Sequence, residues 1–153
     1  MTLSELMDDR LILPRVACTS RDELTSKLLE KIYSINSDLP LIHDDVLHAI
    51  SMREQIGGTL LPSGLAVPHA RLKNFEGFIL AFGTPAEPLI HEGIEIRLMA
   101  LMISSQSGVP WYLQVLAELT KLSRDGSFLS RLSAAETPAE FMSVFHERDP
   151  EIA

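Results

Sequence analysis

One histidine follows a proline at the end of a short apolar run, in the segment GLAVPHAR over residues 64–71. Pro68 fixes its own backbone φ angle and restricts the conformation of Val67 before it. His69 is therefore held by a stiffened backbone. Such a mount suits a nucleophilic imidazole and equally suits a tight surface corner, so this segment alone leaves both interpretations open.

The residues upstream of His69 offer the other groups that a phosphoryl group needs. Arg53 could supply a planar cationic fork for phosphate oxygens, and Thr59 could donate a hydroxyl hydrogen bond. Gly57 and Gly58 would permit close approach of backbone N–H groups, and neutral imidazole is a nucleophile near pH 7. The alternative is a solvated helix end at Arg53 with an ordinary C-cap and turn after it, and spacing alone favours this alternative.

The other four histidines have no companions that predict chemistry. His43 and His48 lie five residues apart on a predicted helix, whereas a metal-binding pair prefers i and i+4. His91 is expected in a turn or at a sheet edge, and His146 at the end of the last helix. With Cys18 as the single cysteine, no Cys/His cluster offers a zinc site. We therefore expect no bound metal, and the sequence does not favour a metal-dependent hydrolase because it offers no set of metal ligands.

Composition predicts one globular domain with a sizeable core. The chain has 153 residues, of which 46% are hydrophobic and 22% charged, with a net charge of −8. An acidic balance argues against non-specific binding to nucleic acids and anionic membranes. The acidic N-terminus lacks the features of a signal peptide, and the longest apolar run, residues 98–103, is too short to span a membrane. A cytoplasmic location is expected, in keeping with the single cysteine.

Hydrophobic periodicity and capping signals predict helices and strands in an α/β arrangement. The predicted helices cover residues 20–33, 42–54, 111–125 and 137–147. The predicted strands cover residues 11–16, 65–69, 77–83 and 94–104, the first at a sheet edge because Pro14 cannot donate to a central ladder. The connection over residues 84–94 is too short for a parallel crossover, so the sheet is expected to be mixed.

The segment REQIGGTLLPSGLAVPHAR, residues 53–71, resembles the signature of the fructose/mannitol-type (type 2) enzyme IIA domains of the bacterial sugar phosphotransferase system. That group includes the nitrogen-regulatory enzyme IIA proteins. The similarity in pattern continues through residues 113–132 and covers residues 2–146 as a single domain, which leaves 147–153 as a tail. The resemblance implies an α/β fold, a three-layer α/β/α sandwich with a mixed central sheet.

The resemblance also implies a function and assigns roles in it. His69, expected at a surface cleft, would accept a phosphoryl group from the histidine of the phosphocarrier protein HPr or its nitrogen-branch counterpart. Arg53 and Thr59 would bind the phosphoryl oxygens. The group would pass to a cysteine of an enzyme IIB partner, or the phosphorylated state would act on a regulatory target. Neither metal nor cofactor is needed for such a phosphohistidine relay, and an acidic free-standing domain favours the regulatory, nitrogen-type role.

Two positions depart from the family pattern. The family places a second histidine beside the phosphorylated one, and here that place falls on Tyr112, whose phenol can donate a hydrogen bond but does not become cationic. Gly58 stands where the family has a serine. Two functions therefore stay open: a phosphotransferase, and a non-catalytic binding or regulatory module with the enzyme IIA fold and impaired phosphotransfer.

Overall fold

The three-dimensional structure, a computed structural model, describes residues 3–36, 39–56, 58–106 and 109–148. Six helices and a short 3-10 turn at Asp9–Leu11 are present in these residues: α1 Leu3–Leu6, α2 Arg21–Ile35, α3 His43–Ile56, α4 Val109–Ser123, α5 Gly126–Ala134 and α6 Pro138–Arg148. The strands are β1 Ile12–Val16, β2 Leu65–Ala66, β3 His69–Leu72, β4 Phe78–Pro85, β5 Leu89–His91, β6 Ile94–Ile96 and β7 Leu98–Ser105. Within the described residues, no helix has the length and apolarity needed to cross a membrane.

Five strands form the mixed sheet that the short connections predicted. β4 and β7 pair antiparallel in its centre, from Phe78 opposite Ser104 to Gly83 opposite Met99. β1 pairs parallel with β4 at one edge, and β2 and β3 both pair parallel with β7 at the other. As Pro14 predicted, β1 is an edge strand, and its register with β4 shifts around this proline.

Helices cover both faces of this sheet, because β7 is apolar on both sides. Its residues Leu98, Ala100 and Met102 belong to a core formed with α4, α5 and α6. The alternate residues Met99, Leu101 and Ile103 belong to a second core formed with α2 and α3. Such a continuous apolar run is typical of a strand buried on both faces. The expected three-layer α/β/α sandwich is confirmed.

The predicted strand over residues 94–104 is two strands in two sheets. β5 and β6 form a separate hairpin, and β7 starts after Arg97. The carbonyl of Gly64 accepts the N–H groups of Arg97 at 2.8 Å and Leu98 at 3.2 Å. Gly64 has φ +99, and a Cβ there would lie 2.6 Å from the carbonyl oxygen of Glu95. A close backbone contact that needs glycine therefore separates the hairpin from the central strand.

Candidate functional site

Backbone hydrogen bonds on both sides of Pro68 hold the segment that leads to His69. The N–H of Val67 donates to the carbonyl of Thr59 at 3.2 Å, and the carbonyl of Pro68 accepts from Met102 at 3.0 Å. The predicted strand over 65–69 is thereby split into β2 and β3, and His69 is the first residue of β3, opposite Met102. The central sheet fixes where the imidazole projects.

The imidazole of His69 lies between a strand hydroxyl and an aromatic ring. Its Nε2 atom is 2.8 Å from Oγ of Ser104. The ring of Tyr112, in the first turns of α4, is nearly parallel to it, with centroids 4.1 Å apart and an interplanar angle of 7°. His69 is only 3% exposed, so the expectation of an open surface cleft is wrong. The α4 layer covers this face of the sheet.

Burial and two arginines keep His69 neutral. Loss of solvation lowers the pKa of His69 from 6.5 to about 4, and the positive charges of Arg53 and Arg71 act in the same direction. Both effects disfavour the imidazolium ion. At neutral pH the ring therefore has a free lone pair, which is the form that acts as a nucleophile.

The two arginines approach the histidine from different elements. Arg53 is exposed in the last turn of α3, as the sequence predicted for a helix end. Arg71 is exposed on β3, two residues after His69, so the two side chains leave the strand on the same face. Sequence reasoning missed Arg71, although the i, i+2 spacing within HAR was the signal for it once His69 is placed in a strand.

Thr59 is held by the acidic neighbour of Arg53. Its hydroxyl donates to Oε1 of Glu54 at 2.8 Å, and its backbone N–H donates to Oε2 at 2.9 Å. A Cβ atom on Gly58 would lie 3.2 Å from the same carboxylate. Glu54 thus fixes the position of Thr59, and the carbonyl of Thr59 accepts the N–H of Val67. Gly57 lies outside the described residues.

The remaining histidines lie on other parts of the surface. His43 contacts Asp44 at 3.1 Å, and His91 faces Glu92 at 3.7 Å in the β5–β6 hairpin. His48 on α3 and His146 on α6 are exposed. In the part of the chain that the structure describes, no three potential metal-ligating side chains of the His, Cys, Asp and Glu types come together.

A cavity of about 820 Å³ lies away from His69, between the N-terminal segment, the start of β4 and α6. Its lining includes Asp8 and Arg10, which form an ion pair at 2.8 Å, and Met142 of α6. His69 is not among its lining residues. The chemistry of the buried imidazole is therefore separate from this cavity.

The chain is similar to one family of known proteins. Residues 5–148 match the family described as "Phosphoenolpyruvate-dependent sugar phosphotransferase system, EIIA 2". The chain is 28% identical over 135 residues to the 2-O-alpha-mannosyl-D-glycerate-specific EIIABC component of Escherichia coli, covering 85% of this chain and 20% of that protein. It is 23% identical over 147 residues to a nitrogen regulatory protein of Bradyrhizobium diazoefficiens, covering 94% of each.

The fold also has a solved counterpart. Nitrogen regulatory protein IIA-Ntr from Neisseria meningitidis superimposes with a TM-score of 0.80 at 21% identity, over 93% of this chain and 97% of that one. At this identity the likeness concerns the fold. Among the curated relatives, the chain spans about a fifth of the length of the first two it matches, at 20% and 18%, and nearly all of the nitrogen regulatory protein.

Proposed function

The chain belongs to the EIIA type 2 family of the phosphoenolpyruvate-dependent sugar phosphotransferase system, and on that premise we propose that His69 accepts a phosphoryl group from a histidine phosphocarrier. The accepting ring nitrogen uses its lone pair to bond phosphorus while the donor's N–P bond breaks. The electron pair of that bond returns to the donor imidazole. No metal or cofactor enters this step.

The observation that carries the proposal is a buried, neutral imidazole with two cations close enough to lower its pKa. A nucleophilic nitrogen must be unprotonated, and the dispersed negative charge of a phosphoryl group in transfer needs fixed positive charge beside it. Arg53 and Arg71 supply that charge in a chain whose net charge is −8. Glu54 binds both the hydroxyl and the backbone N–H of Thr59, so Thr59 can serve as the further donor that we assign to the phosphoryl oxygens only after its single hydroxyl hydrogen leaves Glu54.

The proposed partners are proteins. Apolar side chains lie exposed next to the site residues: Met52 before Arg53, and Trp111 and Leu113 on either side of Tyr112. Exposed apolar groups around a reactive residue suit a transient protein interface. We propose the phosphocarrier protein HPr or its nitrogen-branch counterpart as the donor, an enzyme IIB or a regulatory target as the recipient, and the cytoplasm as the location.

A regulatory role is the version of this function that the comparisons favour. The chain is 23% identical to a nitrogen regulatory protein of Bradyrhizobium diazoefficiens over 94% of this chain and 26% identical to one of Klebsiella oxytoca over 96% of it. We therefore propose that the phosphorylation state of His69 serves mainly as a signal.

The test is reconstitution with phosphoenolpyruvate, enzyme I and a phosphocarrier, followed by intact-mass measurement. The wild-type protein should gain one acid-labile phosphoryl group and His69→Ala none, while replacement of the exposed His48 by alanine should leave the gain unchanged. Undiminished labelling of the His69→Ala protein would remove His69 from the reaction.

A non-catalytic binding module is the second candidate, and the position of Tyr112 favours it. Its ring covers one face of His69, at the place that the resemblance assigns to a second histidine. A phenol can donate to a phosphoryl oxygen but supplies no positive charge. A folded wild-type protein that binds the phosphocarrier and gains no phosphoryl group would establish this candidate in place of the first.

A further inference from the structure

The histidine that the proposed function uses is closed off from solvent. His69 is 3% exposed, and Tyr112, whose ring stacks on it, is 8% exposed. A phosphoryl group passes between two proteins only when phosphorus comes within bonding distance of both imidazoles, so a donor must reach the ring of His69. In this arrangement the ring offers a donor almost no surface.

Tyr112 is the neighbour of His69 that can move. Ser104, which lies 2.8 Å from the imidazole, belongs to the central strand β7, and the backbone of His69 is held in β3. Tyr112 lies in the first turns of α4, and among the described residues its hydroxyl has no hydrogen-bond partner. Packing alone therefore holds the ring of Tyr112 on the histidine.

The following turns of α4 are anchored independently of Tyr112. Val115, Leu119 and Leu122 are buried in the core on this face of the sheet. The ring of Tyr112 can therefore leave His69 while the helix stays in place. Leaving the core exposes a large apolar ring to water, which is costly, so the free protein favours the closed arrangement.

Exposed apolar side chains lie directly beside Tyr112 in the chain. Trp111 is 39% exposed and Leu113 is 55% exposed. A donor whose histidine reaches His69 must cover the surface around it, and exposed aromatic side chains are common anchors of protein interfaces. A partner packed on Trp111 and Leu113 also buries the displaced ring of Tyr112, and so removes the cost of opening.

We propose that residues 111–113 form the surface on which the phosphocarrier docks with an apolar face of its own, and that this docking moves the ring of Tyr112 off His69. A partner shifts such an equilibrium only by binding the open form more tightly than the closed form. The identity of the partner rests on the proposed function, whereas the cover that Tyr112 places on His69 does not depend on it.

The first experiment needs no phosphoryl donor. Diethylpyrocarbonate acylates neutral imidazoles that it can reach, and peptide mass spectrometry locates the modified histidine. The rates at His69 and at the exposed His48 are compared in the wild type, Tyr112→Ala, Tyr112→Phe and Leu119→Ala. Leu119→Ala is the matched control, because it removes another core side chain of α4 without uncovering His69.

In the wild type, His69 should react about tenfold or more slowly than His48, because only the open form reacts. Tyr112→Ala should raise the rate at His69 by about fivefold or more, whereas Tyr112→Phe, which keeps the ring, and Leu119→Ala should resemble the wild type. Tyr112→Leu keeps an apolar side chain in the core and replaces the alanine variant if circular dichroism shows that variant to be unfolded.

Two results of this experiment would overturn the proposal. One is an equal rate at His69 and His48 in the wild type. The other is the absence of a gain at His69 when the ring of Tyr112 is removed. A gain of the same size in Tyr112→Phe or Leu119→Ala would also overturn it, because the ring would then not be the cover.

The second experiment compares a small donor with the protein donor. Phosphoramidate gives its phosphoryl group to an imidazole and releases ammonia, and it is too small to use a docking surface. Trp111→Ala should slow labelling by the phosphocarrier about tenfold more than labelling by phosphoramidate, the effect of a central interface residue. Ile90→Ala, at an exposed residue of the β5–β6 hairpin, is the control and should leave both rates unchanged.

The outcomes separate the docking surface from the proposed function. Equal effects of Trp111→Ala on both donors would refute the docking surface. In the Tyr112→Ala background the difference between the donors should shrink, because no ring has to be moved, and an undiminished difference would refute the link between docking and opening. If neither donor labels the wild type or Tyr112→Ala, the proposed function is refuted instead, and the result of the first experiment stands.

Discussion

The buried neutral state of His69 predicts a pH dependence of stability that can be measured without any partner. The pKa of His69 in the folded protein is about 4, against 6.5 for an unperturbed histidine. Between these values the unfolded chain binds a proton at this position and the folded protein does not. The free energy of unfolding therefore falls as the pH is lowered from 6.5 to 4.

The magnitude follows from the difference between the two pKa values. It is about 2.5, and each pKa unit corresponds to about 1.4 kcal/mol, so the contribution of His69 falls by about 3 kcal/mol between pH 7.5 and pH 4. This is a large part of the 5–15 kcal/mol that typically separates folded and unfolded states. The stability is fully present above pH 6.5 and is lost progressively below it.

The assay is urea unfolding followed by far-ultraviolet circular dichroism at intervals from pH 7.5 to pH 4. His69→Gln removes the titrating group, so the wild type should lose about 3 kcal/mol more than this variant over the range. Carboxylates titrate in both proteins, and their contribution cancels in the difference. His48→Gln, at an exposed histidine of α3, is the control and should behave as the wild type.

A difference between wild type and His69→Gln that stays constant within about 0.5 kcal/mol across this range would refute the reasoning. It would mean that the imidazole gains a proton in the folded protein as readily as in the unfolded chain. The buried placement between Ser104 and Tyr112 would then not describe the protein in solution.

Three other substitutions test the site and its support. Arg53→Lys keeps the charge but loses the planar fork, so labelling should slow by about tenfold, or about 1.4 kcal/mol of transition-state binding; an unchanged rate removes the guanidinium from the reaction. Tyr112→His should accelerate labelling with little change in melting temperature, because it restores a donor that can become cationic; slower labelling with a lower melting temperature contradicts this. Gly64→Ala should destabilise by about 3 kcal/mol, since its Cβ would lie 2.6 Å from a carbonyl oxygen. Gly93→Ala, with positive φ and open space, is its control, and equal losses would show that the contact is unimportant.

Local signals in the sequence predicted the starts of α2 and α6, although α5, which begins after its N-cap Asp125, was not predicted. The N–H of Glu23 bonds the hydroxyl of Ser20 at 3.0 Å, and that of Glu140 bonds Thr137 at 3.1 Å, as the capping patterns indicate. These contacts lie within one turn of helix, so the sequence alone specifies them. The stiff mount of His69 is of the same kind, because Pro68 acts on its immediate neighbours.

Contacts between distant segments could not be predicted from local signals in the sequence. Ser104 lies 35 residues from His69, and only the register of β3 against β7 brings the two together. A serine at the end of an apolar run looks like the end of a strand, not like a partner for a histidine. The division of the predicted strand over residues 94–104 at Arg97 also depends on a distant contact, the hydrogen bonds of Arg97 and Leu98 to the carbonyl of Gly64.

The positive charges of Arg53 and Arg71 would affect both the unphosphorylated and the phosphorylated form of His69. Arg53 and Arg71 lower the pKa of His69, so they disfavour a positive charge on the ring and keep its lone pair available. A phosphoryl group on the ring would bring a negative charge of about 1.5 to 2, as on other phosphorylated side chains. The same two guanidinium groups would then face an anion and stabilise it. Replacing either arginine by a neutral residue should therefore raise the pKa of His69 and shorten the lifetime of its phosphorylated form together. Both effects arise from the same positive charges. If a variant changed only one of the two quantities, the arginine would act by stabilising the fold and not through its charge.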